Sequence, residues 1–192
     1  VVFAGVDYAD ILAMAEKEAD VILWDGGNND FPFIKPDLLI VLVDPLRAGH
    51  ETTHHPGEAV LRMADIVVVA KCNSAAAADI AKVTESAIAI APDAKVVRGV
   101  SIVTLDDPSA VAGKGVIVVD DGPTLTHGGM SYGAGYIAAV QAGAREIVDP
   151  RGSATGELAR LFRDYPHIGK VLPAMGYSQQ QLDDLATTIN RS

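Results

Sequence analysis

Residues 21–30 read Val-Ile-Leu-Trp-Asp-Gly-Gly-Asn-Asn-Asp, and this segment indicates the fold class most directly. An unbroken apolar run followed by a turn is typical of a strand buried in a parallel sheet. The Asp-Gly-Gly sequence then places a carboxylate at the carboxyl end of the strand, where α/β sheets bind phosphates. Asp25 is therefore a candidate magnesium ligand beside a phosphate group. The same pattern also occurs where a strand simply ends in a turn, so both interpretations stay open.

Further apolar runs alternate with helical patterns along the chain. The predicted strands after the first are 38–43, 66–69, 95–100, 116–119 and 147–148. The predicted helices are 8–19 behind the cap Asp7, 58–64, 74–90 behind the cap Ser74, 131–144, 156–165 and 178–189. This alternation predicts an α/β protein, a three-layer sandwich with a mainly parallel sheet followed by a smaller α/β subdomain. A glycine-flanked connector at 113–115 suggests the domains 1–112 and 113–192.

Composition narrows the function classes. The 192 residues carry a net charge of −10, which argues against a nucleic-acid surface, because such surfaces are basic. Cys72 is the single cysteine, so no disulfide framework forms within the chain, as expected in the cytoplasm. No apolar run approaches the roughly 20 residues of a membrane span, so we expect no membrane partner. The net charge, the cysteine content and the lengths of the apolar runs are all compatible with a small phosphorylated ligand.

Basic side chains follow the predicted strand 38–43. Arg47, His50, His54 and His55 lie in the segment after its carboxyl end, and Lys35 precedes it. Arginine binds two phosphate oxygens at once and a protonated imidazole donates to them, so these residues are candidate phosphate ligands. The histidines could instead bind zinc or nickel, although their spacing in a loop is weak evidence for a metal site.

The strand 66–69 ends in Ala-Lys-Cys-Asn, residues 70–73. This placement is similar to the Asn-Lys-x-Asp motif with which GTPases recognise the nucleotide base. Lys71 and Asn73 are therefore candidate nucleotide-binding residues. Ala70 lacks the hydrogen bonds of the motif's asparagine, and Asn73 has an amide where the motif has a carboxylate, so a guanine preference does not follow. Lys71 could also be an ordinary lysine at a strand end.

A second candidate site follows the strand 116–119. Its sequence, Asp-Gly-Pro-Thr-Leu-Thr-His-Gly-Gly-Met at 121–130, precedes a helix rich in small residues. Hydroxyl groups and glycine amides at a helix N-terminus bind anions, because the helix dipole points to the same place. The alternative is a turn with a purely architectural role. The candidate substrate-binding residues of this cradle are Asp121, Thr124, Thr126, His127, Gly128 and Gly129.

Four segments together closely resemble the cyclic 2,3-diphosphoglycerate synthetases. They are Trp24–Phe33, Asp121–Met130, Tyr165–Gly169 and Val171–Tyr177, and the resemblance extends over nearly the whole chain. It implies a fold similar to P-loop NTPases and Rossmann proteins, and ATP-dependent closure of a phosphoanhydride in 2,3-bisphosphoglycerate. It also implies the cofactors ATP and Mg²⁺ and allows for K⁺. Separately, a missing sheet neighbour beside the Val21 strand would leave apolar surface exposed, so we expect a homo-oligomer that covers it.

The resemblance assigns roles to the candidate residues. Asp25 would hold the metal, and Lys35, Arg47 and His50 would neutralise the reacting phosphates. Members of the family carry a Gly-x-Gly-Lys phosphate loop upstream of the position of Val1, and this chain contains no such loop. We therefore expect an internal fragment that binds phosphates without turning over ATP alone. The alternative is a non-catalytic, GTPase-like module of the metallochaperone type that handles nucleotide or metal.

Overall fold

The computed structural model describes residues 1–26 and 31–192 of the chain, in two compact units. The units comprise Val1–Ser101 and Ile102–Ser192. The domain ranges 1–112 and 113–192 stay a prediction.

Helices and strands alternate through the described residues. The strands are β1 Ile40–Val43, β2 Ile66–Val69, β3 Lys95–Arg98, β4 Gly115–Val116, β5 Val119–Asp120, β6 Glu146–Ile147 and β7 Leu172–Pro173. The helices are α1 Tyr8–Ala15, α2 His50–Thr53, α3 Gly57–Leu61, α4 Ala77–Ile90, α5 Gly122–Leu125, α6 Ala134–Gln141, α7 Gly156–Asp164 and α8 Gln179–Arg191. Short 3-10 helices lie at Pro45–Arg47, Pro108–Ala110 and Pro150–Gly152.

The first unit contains a three-stranded sheet with the order β1-β2-β3, and both strand pairs are parallel. Val43 pairs with Val69, and Val69 with Arg98, so the three strands end at nearly the same level. Alternate side chains of these strands face one core, in which Val67 and Val69 lie buried with Val83 of α4. The predicted α/β class with parallel strand pairing is confirmed.

One predicted strand is absent from the described residues. Residues 21–24 form no ladder with a described strand, and Val21 and Leu23 are exposed. An apolar run becomes a strand only when its backbone finds a hydrogen-bonded partner, and the sequence pattern does not reveal whether one is present. The part of the motif at 27–30 lies outside the described residues.

The predicted cap of the long helix is also wrong. Helix α4 begins at Ala77 after Ala76, and no side chain caps it. Ser74 lies instead in a turn, where its amide donates to the carbonyl of Lys71 across 2.9 Å. The cap Asp7 is confirmed, because its Oδ1 atom accepts hydrogen bonds from the amides of Ala9 and Asp10.

The second unit contains two small parallel pairs, β4 with β6 and β5 with β7. The single strand predicted at 116–119 is therefore two strands that pair with different partners. Leu125, Leu158, Val171 and Leu172 are fully buried in the core of this unit. The split places Asp120 at the end of β5, directly before the Asp121–Met130 segment.

Across residues 1–26 and 31–192, no helix combines the length and the apolar character that crossing a membrane requires.

Candidate anion-binding site at the sheet edge

Asp44, Arg47 and Lys71 form a cluster at the carboxyl edge of the β1-β2-β3 sheet, and we call it the Asp44 cluster. Lys71 Nζ lies 2.6 Å from Asp44 Oδ2, although the two residues are 27 positions apart. Arg47 Nε and Nη2 donate to the same oxygen, across 3.2 and 3.0 Å. Asp44 Oδ1 accepts from the Leu46 amide across 3.0 Å and so caps the short helix Pro45–Arg47. One carboxylate thus orders two cationic side chains.

The Asp44 carboxylate stays ionised in this cluster. Burial by itself raises the pKa of Asp44, but the hydrogen bond and charge of Lys71, the Leu46 amide and the charge of Arg47 outweigh it. The net effect is a pKa below the ordinary value of 3.8. One negative charge faces two positive charges, so the cluster keeps an excess positive charge in an otherwise acidic protein.

The cations of the cluster remain accessible from outside. The side chains of Arg47 and Lys71 are 32% and 35% exposed, whereas that of Asp44 is 17% exposed. A guanidinium has five N–H donors and an ammonium has three, so most donors of Arg47 and Lys71 do not point at Asp44. An anion can therefore bind the outer side of the cluster without displacing the carboxylate.

Lys71 adopts an unusual backbone conformation at the end of β2. Its φ is +53°, and no other non-glycine residue in the described ranges has a positive φ. The conformation costs about 1–3 kcal/mol for a residue with a Cβ, and such residues are concentrated at functional sites. Neighbouring backbone bonds hold the turn, since Ala70 N donates to Val43 O across 2.9 Å and Cys72 N to Gly99 O across 2.9 Å. The turn brings the Lys71 side chain back to Asp44.

His50 and His54 lie next in the chain and form a stacked pair. Their ring centroids are 4.0 Å apart, and the rings are inclined by 23°. The pKa of His50 is below 6.5, first because of desolvation and then because of the charges of His54 and Arg47, which Glu51 and Asp44 oppose only partly. The neutral form of His50 is therefore favoured near pH 7.

The histidines do not assemble a metal centre in the described part of the chain. No group of three or more histidine, cysteine or acidic residues there is arranged to hold a metal ion. His55 contacts the ring of Phe31 at a centroid distance of 6.3 Å, whereas His50 and His54 contact each other. Zinc or nickel binding by the loop histidines stays a prediction.

Asn73 has a structural partner in this fold. Its Nδ2 atom donates to the Ser101 carbonyl across 3.0 Å, and its Oδ1 atom accepts from the Ser101 amide across 2.9 Å. Both polar atoms of the side chain thus tie the turn after β2 to the segment after β3. Base recognition by Lys71 and Asn73 stays a prediction, with Lys71 bound to Asp44 and Asn73 bound to Ser101.

Asp25 and Lys35 also belong to the first unit. Asp25 is exposed and lines a cavity of about 720 Å³ beside the aromatic residues Tyr8, Trp24 and Phe33. Phe33 stacks on Tyr8 at 4.5 Å and contacts Trp24 edge-on at 6.1 Å, so one wall of the cavity is aromatic. Lys35 is exposed. The structure brings Arg47 and Lys71 together on Asp44, and the charges of Arg47 and Asp44 act on His50 nearby; the roles of all three candidate residues stay predictions.

The predicted cradle of the second unit uses many of its polar groups internally. Asp121 Oδ2 accepts from the Thr124 amide and hydroxyl across 2.9 and 2.7 Å. The Thr126 hydroxyl donates to Gly122 O, and the Gly128 amide to Pro123 O, each across 2.9 Å. The remaining members differ: the Gly129 amide donates to Thr126 O across 3.2 Å, and His127 is exposed.

The helix N-terminus expected behind this cradle is occupied by a carboxylate of the protein. Asp120, 5% exposed, accepts from Gly133 N on Oδ2 and from Gly135 N on Oδ1, across 2.8 and 2.7 Å. The first turn of α6 thus binds an anion supplied by β5. Asp120 follows the apolar run 116–119 directly, and Asp44 follows Val43 in the same way. Asp25 was a candidate because it is an acidic residue directly after an apolar run. The same pattern would also have identified Asp44 and Asp120.

Comparisons with known proteins identify a longer relative. The chain is 55% identical over 192 residues to the protein named Arginine synthetase ArcE from Thermococcus kodakarensis. The match covers the whole of this chain and 43% of the relative, so the chain spans less than half of that protein's length. No protein-family model matches the chain, and no solved structure matches it. The relative's name differs from that of the family that the four motifs resemble.

Proposed function

We propose that this chain is part of an ATP-dependent synthetase and that the Asp44 cluster binds phosphate groups during its reaction. The observation that carries the proposal is the excess positive charge held by Asp44 where two parallel strands end. In open α/β sheets, ligands bind beyond the carboxyl ends of the strands. The 55% identical relative, which is named a synthetase, supports the same class of reaction.

Phosphoryl transfer needs the kind of chemistry that this cluster offers. Negative charge spreads over the oxygens of the transferred group, and prearranged cations stabilise it without having to reorganise. Arg47 would bind two phosphate oxygens through its remaining N–H groups, and Lys71 would act as a point charge beside it. The neutral form of His50 adds no positive charge of its own, so these two cations would carry the electrostatic stabilisation.

Asp25 is the residue that would hold a magnesium ion. Mg²⁺ in phosphate-transferring proteins is bound by one or two carboxylates together with substrate oxygens and water, so a single exposed carboxylate fits the ion. When bound, the ion would neutralise charge on the phosphates. The side chains of Arg47 and Lys71 would orient the phosphate groups that they contact.

The relative's name supports arginine as the product, and this is the first candidate function. The second is closure of a phosphoanhydride in 2,3-bisphosphoglycerate, which the resemblance of Trp24–Phe33 and Asp121–Met130 favours. Both would use ATP to activate an oxygen atom of a substrate, so the Asp44 cluster would bind phosphate groups in each. They differ in the charge of the second ligand, because arginine is a cation and bisphosphoglycerate a polyanion.

A reverse assay tests the first candidate without knowledge of the forward substrates. The assay uses the complete protein to which this chain belongs, because we expect the chain alone to bind phosphates without turning over ATP. That protein is incubated with arginine, ADP, phosphate and Mg²⁺, and in parallel with AMP and pyrophosphate. We expect arginine-dependent formation of ATP. A parallel reaction with 2,3-bisphosphoglycerate and ATP, followed by phosphorus NMR, tests the second candidate. Absence of turnover in both would reject the proposed function.

Variants connect the activity to the cluster. Lys71→Ala should lower the turnover by about 10²-fold or more, as expected for loss of a donor that stabilises transition-state charge. Arg62→Ala is the matched control, because Arg62 pairs with Glu58 on the surface of the same unit. If Lys71→Ala and Arg62→Ala had equal activities, the reaction would take place elsewhere.

A further inference from the structure

We infer that Asp44 is a positioning residue of the anion site, whose Oδ2 atom holds Lys71 and Arg47 side by side in the orientation that receives substrate phosphate groups. The inference rests on the proposed function and assigns a role to a residue that the sequence motifs did not single out. Asp44 itself would not contact the substrate.

The hydrogen bonds of Asp44 leave it little capacity for a ligand. Three N–H groups, from Lys71 Nζ and from Arg47 Nε and Nη2, converge on Oδ2. The Leu46 amide uses Oδ1. A carboxylate oxygen has about two lone-pair directions, so Oδ2 is saturated. Asp44 therefore acts on a ligand through the side chains that it holds.

The contacts also determine which atoms of Arg47 face outward. Nε and Nη2 form one edge of the guanidinium plane, and both lie on Asp44. The Nη1 donors and the second Nη2 hydrogen remain for another partner. Because the guanidinium is rigid and planar, fixing one edge also fixes the direction of the other. Lysine in place of Arg47 would keep the charge but lose this geometry.

The backbone of the cluster agrees with a positioning role. Lys71 reaches Asp44 from a left-handed turn with a φ of +53°. Leu46, whose amide binds the other oxygen of Asp44, belongs to the same short helix as Arg47, Pro45–Arg47. The carboxylate thus connects the turn after β2 with the turn after β1, and each turn presents one cation.

A simple counter-ion would have the opposite effect on an anion. If Asp44 only neutralised the cations, its replacement by asparagine would remove a negative charge and strengthen anion binding. If Asp44 positions them, Asp44→Asn weakens anion binding although the site becomes more positive. The sign of the change in affinity distinguishes the two roles.

Inorganic pyrophosphate is the probe, titrated calorimetrically into the full chain at low ionic strength. We expect Lys71→Ala to weaken binding about tenfold, the loss typical of a charge-assisted hydrogen bond. Asp44→Asn and Arg47→Lys should each weaken it several-fold, and Arg62→Lys should leave it unchanged. Circular dichroism monitors folding. If Asp44→Asn does not fold, Asp44→Glu decides the question, because it keeps the charge but moves the carboxylate: a counter-ion role predicts unchanged binding and a positioning role predicts weaker binding.

Each outcome has a defined meaning. Weaker binding in Asp44→Asn, or in Asp44→Glu where the first variant is unfolded, supports the positioning role. Equal or tighter binding in the deciding variant, together with a loss in Lys71→Ala, overturns that role and leaves the anion site of the proposed function in place. Unchanged binding in Lys71→Ala overturns both the positioning role and the assignment of phosphate binding to this cluster.

Discussion

The Gly133 amide donates a hydrogen bond of 2.8 Å to Asp120 Oδ2, so a carboxylate at the end of β5 binds the N-terminus of α6. Gly135 N donates to the other oxygen across 2.7 Å. The same arrangement recurs between α8 and α7, where buried Asp184 accepts from Glu157 N across 3.0 Å. The N-termini of α6 and α7 are thus stabilised by carboxylates from other elements.

Replacing Asp120 should destabilise the second unit strongly. Asp120→Ala removes two charge-assisted hydrogen bonds and leaves the Gly133 and Gly135 amides without this acceptor, so we expect a loss of about 3–5 kcal/mol in the free energy of unfolding. Urea denaturation measures it. Asp121→Ala is the control, because Asp121 is exposed and caps only the short helix α5, with an expected cost of about 1 kcal/mol. Similar losses in the two variants would contradict this role for Asp120.

Three glycines of the second unit allow the cost of a steric clash to be separated from the cost of backbone strain. At Gly156, φ is +51° and a Cβ would collide with Asp184 Oδ2, so Gly156→Ala should lower the free energy of unfolding by about 2–4 kcal/mol. At Gly143, φ is +76° and a Cβ would have no neighbour within 4 Å, so strain alone should cost about 1 kcal/mol. At Gly152 neither effect is present, so Gly152→Ala should change the free energy of unfolding by no more than about 0.5 kcal/mol. Thermal or urea unfolding that gave another order would refute this account.

The strain at Lys71 can be measured by comparing two truncations. Lys71→Ala and Lys71→Gly both remove the ammonium from Asp44, but only glycine adopts a φ of +53° without strain. We expect the glycine variant to unfold with a free energy about 1 kcal/mol higher than that of the alanine variant. An alanine variant as stable as the glycine variant would show that this turn is not left-handed in solution.

The pH dependence of stability should report the Asp44 cluster. The pKa of Asp44 in the folded protein is below 3.8, since the Lys71 and Arg47 interactions outweigh the effect of burial. The contribution of Asp44 to stability is therefore complete above about pH 3.8 and is lost as the pH falls through the lower folded value. Asp44→Asn should be less stable at neutral pH and should lose less stability than the parent chain on acidification. Parallel profiles from urea unfolding at several pH values would contradict the assigned charge state.

Self-association stays a prediction, and the structure suggests where to test it. Leu42 is 68% exposed on edge strand β1, and Leu23 is also exposed in the same unit. Exposed apolar side chains on an edge strand favour pairing with another chain. Light scattering at high concentration should show an oligomer that Leu42→Lys weakens and Val140→Lys, on α6 of the other unit, does not. A monomer at all concentrations would refute the prediction.

The sequence by itself determined those elements that depend on interactions between residues close together in the chain. Strand β2 was predicted with its observed bounds, because Ile66–Val69 consists of β-branched residues that favour an extended, buried backbone. The cap Asp7 was also predicted, since its side-chain oxygen binds amides two and three residues away. Alternation of such segments was sufficient to predict an α/β fold with parallel strand pairs.

Tertiary structure alone decided the pairings across the chain. The run 21–24 has the composition of a strand but forms no described ladder, and the run 116–119 is divided between β4 and β5 because its two ends find different partners. Asp44 meets Lys71 across 27 positions, and Asp120 occupies the helix terminus that the sequence had assigned to a ligand. Sequence pattern records which groups need a partner, whereas the fold determines which partner each of them meets.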